Sequence, residues 1–430
     1  MTTILSSLRQ RIQSVWERQK HWFASSKGTV AYGEPLLRLL GHRRHGRAIE
    51  HSALHRLLIV RLDDIGDMVL TTPVLRELRR MLPAAWITLV VKPSVYDLVE
   101  HCPYVNEVVT YDPGPLGEAT SPDRMWRTLR FAARQLWRRT FDLAIVPRWD
   151  ADLYHASFVA YWSGARWRVG YSEQVIEHKS SLNQGFDQLY SHVLPDRTLK
   201  HEVERGLELI RFLGNHAEHS SLELWATEAD ETYVRNMLLS HHVHTHDRLI
   251  AFCPGAASAT RQWPVDNFIE LGKWLLEDYP VRIVIVGGPN ERDLGRHIQE
   301  SLGEGAINVV GATSLRELGV LLKTCLLYVG NDSGPMHVAA AARVPVVEIS
   351  CHPARGIQSH SNSPKRFGPW GVVSKVLQPE RAAAPCHGSC TSHDAHCIRL
   401  VGIATVREAV TACLLQNHHQ AIQPPMRASA

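Results

Sequence analysis

The stretch VRLDDIGDMVLTTPVL, residues 60–75, sets Asp63, Asp64 and Asp67 around one glycine, Gly66, between an apolar run and the onset of helical periodicity. A turn calls for polar residues and a glycine, but not for that many carboxylates. A carboxylate so placed can take the proton of a bound hydroxyl within hydrogen-bond reach. Its plainer use is as an N-cap or first-turn acid that meets a helix's orphan N–H groups and dipole. Three later loops carry complementary chemistry. PGAASATRQWPVDNF, residues 254–268, offers small residues that let a ligand reach backbone amides, then the cation Arg261 ahead of a helix start at Trp263-Pro264; that suits an anionic group. VGGPNERDLG, residues 286–295, pairs glycines with Glu291, which can accept hydrogen bonds from ribose hydroxyls or simply occupy a first helical turn. VGNDSGPMHVAAAARVPVV, residues 329–347, runs Asn331, Asp332, Ser333, Gly334 and Pro335 into a helix of small residues. The N–H groups at such a start, with the macrodipole behind them, make a phosphate site, and Asp332 or Ser333 can equally be a plain N-cap.

Cysteine chemistry is concentrated in PCHGSCTSHDAHCIRL, residues 385–400, where Cys386, Cys390 and Cys397 alternate with His387, His393 and His396, and Cys413 follows. The C-x3-C-x6-C spacing is not a standard zinc pattern, although sulfur and nitrogen ligands at short spacing can build a structural metal site. The other reading is a surface loop of reduced thiols.

These loops need elements to hold them. From residue 56 the runs RLLIVRL, AWITLVV, NEVVTYD and FDLAIVPRW read as strands separated by amphipathic segments. Buried parallel strands are continuously apolar, as these are, and β/α alternation implies a doubly wound sheet. The pattern lapses in the histidine-rich SHHVHTHDR, residues 240–248, and restarts with LIAFCPG, VRIVIVGG, INVVG, LLYVGND and VPVVEIS. The expected fold is therefore α/β with two Rossmann-like doubly wound parallel-sheet domains, residues 51–240 and 241–415, after an extension of residues 1–50 and before a tail of residues 416–430. A single large sheet with a long surface loop is the alternative. The three loops of the second half each follow a strand, where open α/β sheets bind their ligands.

RLDDIGDMVLTTPVLRELRR, PGAASATRQWPVDNF, GGPNE and GNDSGPMHVAAA, in that order, with KHEVERGLELIRFLG between the first two, resemble the signature segments of glycosyltransferase family 9, the ADP-heptose:lipopolysaccharide heptosyltransferases. The resemblance covers roughly residues 56–410. It implies a GT-B architecture with two domains facing a cleft, acceptor on the N-terminal side and nucleotide-sugar donor on the C-terminal side. It makes Asp67 the general base of an inverting transfer, with Gly66 letting backbone approach the bound sugar and Asp63 and Asp64 left as turn and capping residues. It assigns Arg261 to the donor phosphates, Glu291 to the nucleoside, and Asp332, Ser333, Gly334, Met336 and His337 to the pyrophosphate and sugar. No metal cofactor is implied for transfer, in keeping with the lack of a D-x-D motif after a strand of the second half. Some autotransporter-modifying relatives carry a metal-bound cysteine cluster, which makes Cys386, Cys390, Cys397 and Cys413 a possible structural site here. The segment 349–371 is longer than the family pattern, and Gln262 stands where many relatives have a second basic residue.

The expected partners are an ADP-sugar donor and a glycan, lipid-linked or protein acceptor. A transferase using another nucleotide sugar and a non-catalytic nucleotide-sugar-binding scaffold are the rival readings. The missing G-x-G-x-x-G fingerprint disfavours a NAD-dependent oxidoreductase. Residues 1–50 have a net charge of +6 against about −2 for the remainder, so no basic face runs through the body and nucleic acid is not an expected partner. Without a signal peptide or an apolar run long enough to span a bilayer, the chain is expected in the cytoplasm. Ile4, Leu5, Leu8, Ile12, Val15, Trp16, Trp22 and Phe23, flanked by arginines, trace one helix face. That face can contact the inner membrane surface through residues 1–30 or pack on the protein itself.

Overall fold

The computed structural model describes residues 48–114 and 121–420, so the expected helix and membrane contact of residues 1–30 lie outside the described residues. Each apolar run becomes a buried strand. Leu57, Leu58, Ile59 and Val60 of β1 (Arg56–Arg61) are at most 1% exposed, and burying each such side chain stabilises the fold by about 1.5–3 kcal/mol. Around β1 assemble β2 (Trp86–Val91), β3 (Glu107–Thr110), β4 (Leu143–Val146), β5 (Trp167–Tyr171) and β6 (His192–Leu194) in the order β3-β2-β1-β4-β5-β6. The second sheet holds β7 (Leu249–Cys253), β8 (Arg282–Ile285), β9 (Ala306–Asn308), β10 (Cys325–Asn331), β11 (Val346–Ile349) and β12 (Ser374–Leu377), ordered β12-β11-β10-β7-β8-β9. Every strand pair is parallel. Both sheets have the doubly wound order that reverses direction between the first and fourth strands, and ligands bind at that switch. The expectation of two Rossmann-like sheets in a GT-B arrangement holds, and the single-sheet alternative does not.

Helices cover both faces. The longer ones are α1 (Ile65–Met81), α2 (Ser121–Phe131), α3 (Ala156–Trp162), α4 (Glu202–Phe212), α5 (Glu228–Ser240), α6 (Val265–Asp278), α7 (Arg292–Leu302), α8 (Leu315–Lys323), α9 (Gly334–Ala341) and α10 (Ile403–Gln420). Helix α4 packs on α1 beside the first sheet, whereas α5 packs on α8 beside the second. Among the described residues no helix is long and apolar enough to cross a membrane.

The sheets are joined through specific contacts. Helix α9 of the second half packs on α1 of the first. Arg316, at the start of α8, pairs with Asp97 at 2.7 Å and Glu100 at 3.1 Å across the divide. Arg366, from the long 349–371 segment, is fully buried and pairs with Asp150 and Glu202 of the first half, both at 2.8 Å. Trp370 stacks on His201, whose Nε2 donates to the Gly368 carbonyl at 2.9 Å. The RFGPWG end of this segment, residues 366–371, thus supplies residues that bridge the two halves.

Candidate active site

Asp67 lies in the first turn of α1, which starts at once after β1 and so brings the carboxylate to the switch between β1 and β4. It accepts from Arg61 at 2.8 Å, with Arg148 at 3.9 Å. Burial raises its pKa to about 6 against the pull of Arg61, and the neighbouring Asp63 and Glu202 charges push the same way. An acid in a merely capping role has no need of two guanidinium groups. Asp64 occupies the N-cap position of α1 without making a side-chain cap bond, and pairs instead with Lys92. Asp63 binds Arg148 and lies 3.2 Å from Arg61. Neither acid caps the helix; both are balanced by cations. Arg61, Arg148 and Lys92 are the members of this cluster that motif reading passes over, although Arg61 and Arg148 stand at the ends of β1 and β4, where a site on this fold gathers its side chains.

In the second half the loops after β7, β8 and β10 converge. Arg261 ends a short 3-10 turn, 3.6 Å from Asp332 and a quarter exposed, so its guanidinium remains partly open to a ligand. Burial raises the Asp332 pKa while Arg261 opposes the shift. Gln262 donates to the Ala256 carbonyl at 2.9 Å and closes the loop, while Asn331 fixes its base by accepting from Trp263 N at 3.0 Å and donating to the Pro254 carbonyl at 2.7 Å. Pro264 sits at the N-cap, one residue outside α6. Glu291 accepts from Gly288 N at 2.8 Å, and its carboxylate fills the space that a Cβ at Gly255 or Gly287 would take. The small residues of PGA and GGP therefore seat Glu291 between two loops. Ser333 is the N-cap of α9 yet forms no side-chain cap bond, so the plain capping alternative is not realised.

The loop that carries Asp67 and the loop that opens α9 touch. A Cβ on Gly66 would overlap the His337 ring, and one on Gly334 would come within 2.8 Å of Ile65 Cβ. Gly66 thus admits a histidine from the opposite half. Burial, with His201 and Arg261 nearby, lowers the His337 pKa to about 3, leaving a neutral imidazole whose Nδ1 finds no partner among the described residues. Met336 is fully buried behind it. Glu348 on β11 is a further carboxylate that sequence reading misses, since it hides inside the apolar VPVVEIS. It is 1% exposed, and burial, with Asp332 beside it, drives its pKa well upward.

Behind Arg261 stands the sulfur cluster. Ligand atoms of Cys386, Cys390, His396 and Cys397 all lie within 4.8 Å of one another. Cys413 is not among them: it lies on α10, fully buried in the second apolar core, because the helix turns it inward toward the sheet. His396, read only as an interspersed histidine, takes the fourth place. The turn that begins at Cys397 packs against the turn that ends at Arg261, and Trp263 Nε1 donates to the Val401 carbonyl at 2.8 Å.

Comparison with known proteins gives three findings. The family model described as glycosyltransferase family 9 (heptosyltransferase) matches residues 129–395. Lipopolysaccharide heptosyltransferase 2 of Escherichia coli (strain K12) is 26% identical over 306 residues, covering 68% of this chain and 82% of that protein; lipopolysaccharide heptosyltransferase 3 of the same strain is 25% identical over 291 residues, covering 66% and 79%. Among solved structures, the glycosyl transferase family 9 protein from Veillonella parvula DSM 2008 aligns with a TM-score of 0.69 at 22% identity, over 86% of this chain and 100% of that one. The E. coli heptosyltransferase WaaC with ADP aligns with a TM-score of 0.62 at 17% identity, over 83% and 99%.

Proposed function

Because the chain belongs to glycosyltransferase family 9, the heptosyltransferase family, we propose that it transfers a heptose from an ADP-heptose donor to the core of a lipopolysaccharide or a related surface glycan. The observation that carries this reading is the seating of His337 on Gly66, which sets the Asp67 loop of one sheet against the donor loop of the other. The names of the relatives supply the sugar and the acceptor class. In this reading the acceptor hydroxyl lies against Asp67 and gives up its proton as its oxygen attacks the anomeric carbon. The bond from that carbon to the diphosphate oxygen breaks, ADP leaves, and in-line attack inverts the centre. A base whose burial lifts its pKa to about 6 is still largely ionised at neutral pH and is stronger than an ordinary aspartate. Arg261 and the N–H groups opening α9 at Ser333-Gly334 meet the charge growing on the diphosphate, so the transfer itself needs no metal. Glu291 takes the ribose hydroxyls, and Asp332, Met336 and His337 border the pyrophosphate and sugar.

A thermal-shift panel of ADP, UDP, GDP and NAD tests the donor class. A ligand that binds only the folded state adds about 2.7 kcal/mol at a hundred times its Kd. ADP alone should raise the midpoint; a shift with NAD or UDP and none with ADP would overturn the donor assignment.

The Cys386, Cys390, His396 and Cys397 cluster is, in this reading, a structural metal site. Three sulfurs and one imidazole nitrogen in one small volume suit a four-coordinate ion, with sulfur ligands at about 2.3 Å. When bound, the ion would cross-link this loop and so brace the Arg261 turn. Metal analysis should find about one ion per chain, and chelation should lower the melting temperature and donor affinity together. A metal-free protein with full donor affinity would contradict it.

A further inference from the structure

The chain between β3 and β4 carries more arginine than the transfer requires. Helix α2 continues through a wide turn, Ala132–Leu136, into a tight one, Trp137–Arg139. Its inner side, with Thr128, Ala132 and Leu136 buried, is fixed to the domain by the packing of α2 on α3. Its outer side presents Trp126, Arg127, Arg130, Arg134, Trp137 and Arg138. Steps of three and four residues put these on one face. The two tryptophans are 54% and 51% exposed, and among the described residues none of the four arginines pairs with a carboxylate. Single exposed apolar residues are ordinary, whereas two tryptophans bracketing four cations with no carboxylate partner among the described residues are not.

We propose that this face docks on an anionic lipid surface. The rings of tryptophan favour the headgroup level of a bilayer, where one edge is apolar and the other wet, and guanidinium groups between them meet lipid phosphates. A nucleic acid would call for a broader basic surface, yet beyond residue 50 the chain is slightly acidic overall. In a doubly wound sheet the helix after β3 starts at the edge where the strands end, the edge that carries Asp67. The face runs from that edge, near Trp126, to the opposite one, where Trp137 lies beside Phe141 and Asp142 ahead of β4, so docking holds this side of the first half against the bilayer. The proposal does not depend on the identity of the donor or the reaction.

The test is flotation of the full chain with vesicles of phosphatidylglycerol and phosphatidylethanolamine, compared with phosphatidylcholine alone. The parent should float with the anionic vesicles only, and less so as salt rises. Combined Arg127→Glu, Arg130→Glu and Arg134→Glu should lower the bound fraction about tenfold or more, while melting temperature and the ADP-induced shift stay those of the parent. If the triple variant fails to fold, Trp126→Ser carries the same test with a several-fold loss. A folded variant that floats like the parent, or a parent that floats equally with phosphatidylcholine, would overturn the proposal. So would a variant that loses retention on double-stranded nucleic acid and keeps its vesicle binding.

Discussion

Asp67 is where the residue-level chemistry is most exposed to test. Its neighbours divide by sign: burial, Asp63 and Glu202 raise its pKa, and Arg61 and Arg148 restrain it near 6. The base must be ionised to act, so kcat/KM should climb as pH rises through about 6 and level off above it; a profile flat from pH 5 to 8 would remove Asp67 from the role. Arg261→Ala should weaken binding of the ADP-sugar by about 1.5–3 kcal/mol in calorimetry, the range for a hydrogen bond to a charged group. Unchanged affinity would move the phosphate site elsewhere. Both Asp67 and Arg261 follow strands in polar loops, but it is the family resemblance that singles out Asp67 from Asp63 and Asp64 and gives Arg261 to the donor phosphates. It gave no hint of Glu348, a carboxylate inside an apolar strand, nor that Asp63 and Asp64 find cations instead of helix N–H groups, because those partners lie far along the chain.

At the scale of elements, the strands legible in sequence are those with unbroken apolar runs, such as β1, β7 and β10. Strand β5 escapes notice since WRVGY holds Arg168 as its second residue. That arginine is buried and donates to the nearby Ala165 carbonyl and to the Leu189 carbonyl, 21 residues on, a solution invisible to periodicity. The edge strands β6 and β12 are too short and mixed to stand out. Loop glycines were legible as close approaches, but what approaches them was not: Gly66 receives His337, and Gly255 receives Glu291. Gly255→Ala should therefore displace Glu291 and lower ADP affinity while the melting temperature moves little, since the loop lies outside the apolar core clusters. A full-affinity Gly255→Ala protein would detach Glu291 from the nucleoside.

Over the whole molecule, the two halves meet through the packing of α9 on α1 and through a few charged bridges whose energetics hinge on burial. Arg366 is fully buried between Asp150 and Glu202, and both acids are held below their usual pKa by it although burial opposes their charge. Arg366→Ala removes the cation that two buried carboxylates share, leaving only Arg148 near Asp150 and Arg205 at 3.4 Å from Glu202, which should cost about 3–5 kcal/mol in denaturant unfolding. A loss under about 1 kcal/mol would mean that water enters the junction freely. That pairing across more than 160 residues was beyond sequence reading, whereas the two-sheet plan followed from alternation and the interruption near residues 240–248. The claim that binds all scales is transfer of a sugar from an ADP donor, with Asp67 as base, across the contact of the two sheets. Its most direct test is a single-turnover assay with ADP-heptose and a lipopolysaccharide core acceptor, following both the extended glycan and released ADP. The parent should form both in equal amounts, and Asp67→Asn should bind ADP as tightly yet be slower by about 10²-fold or more. Transfer by Asp67→Asn within a few-fold of the parent would contradict the account.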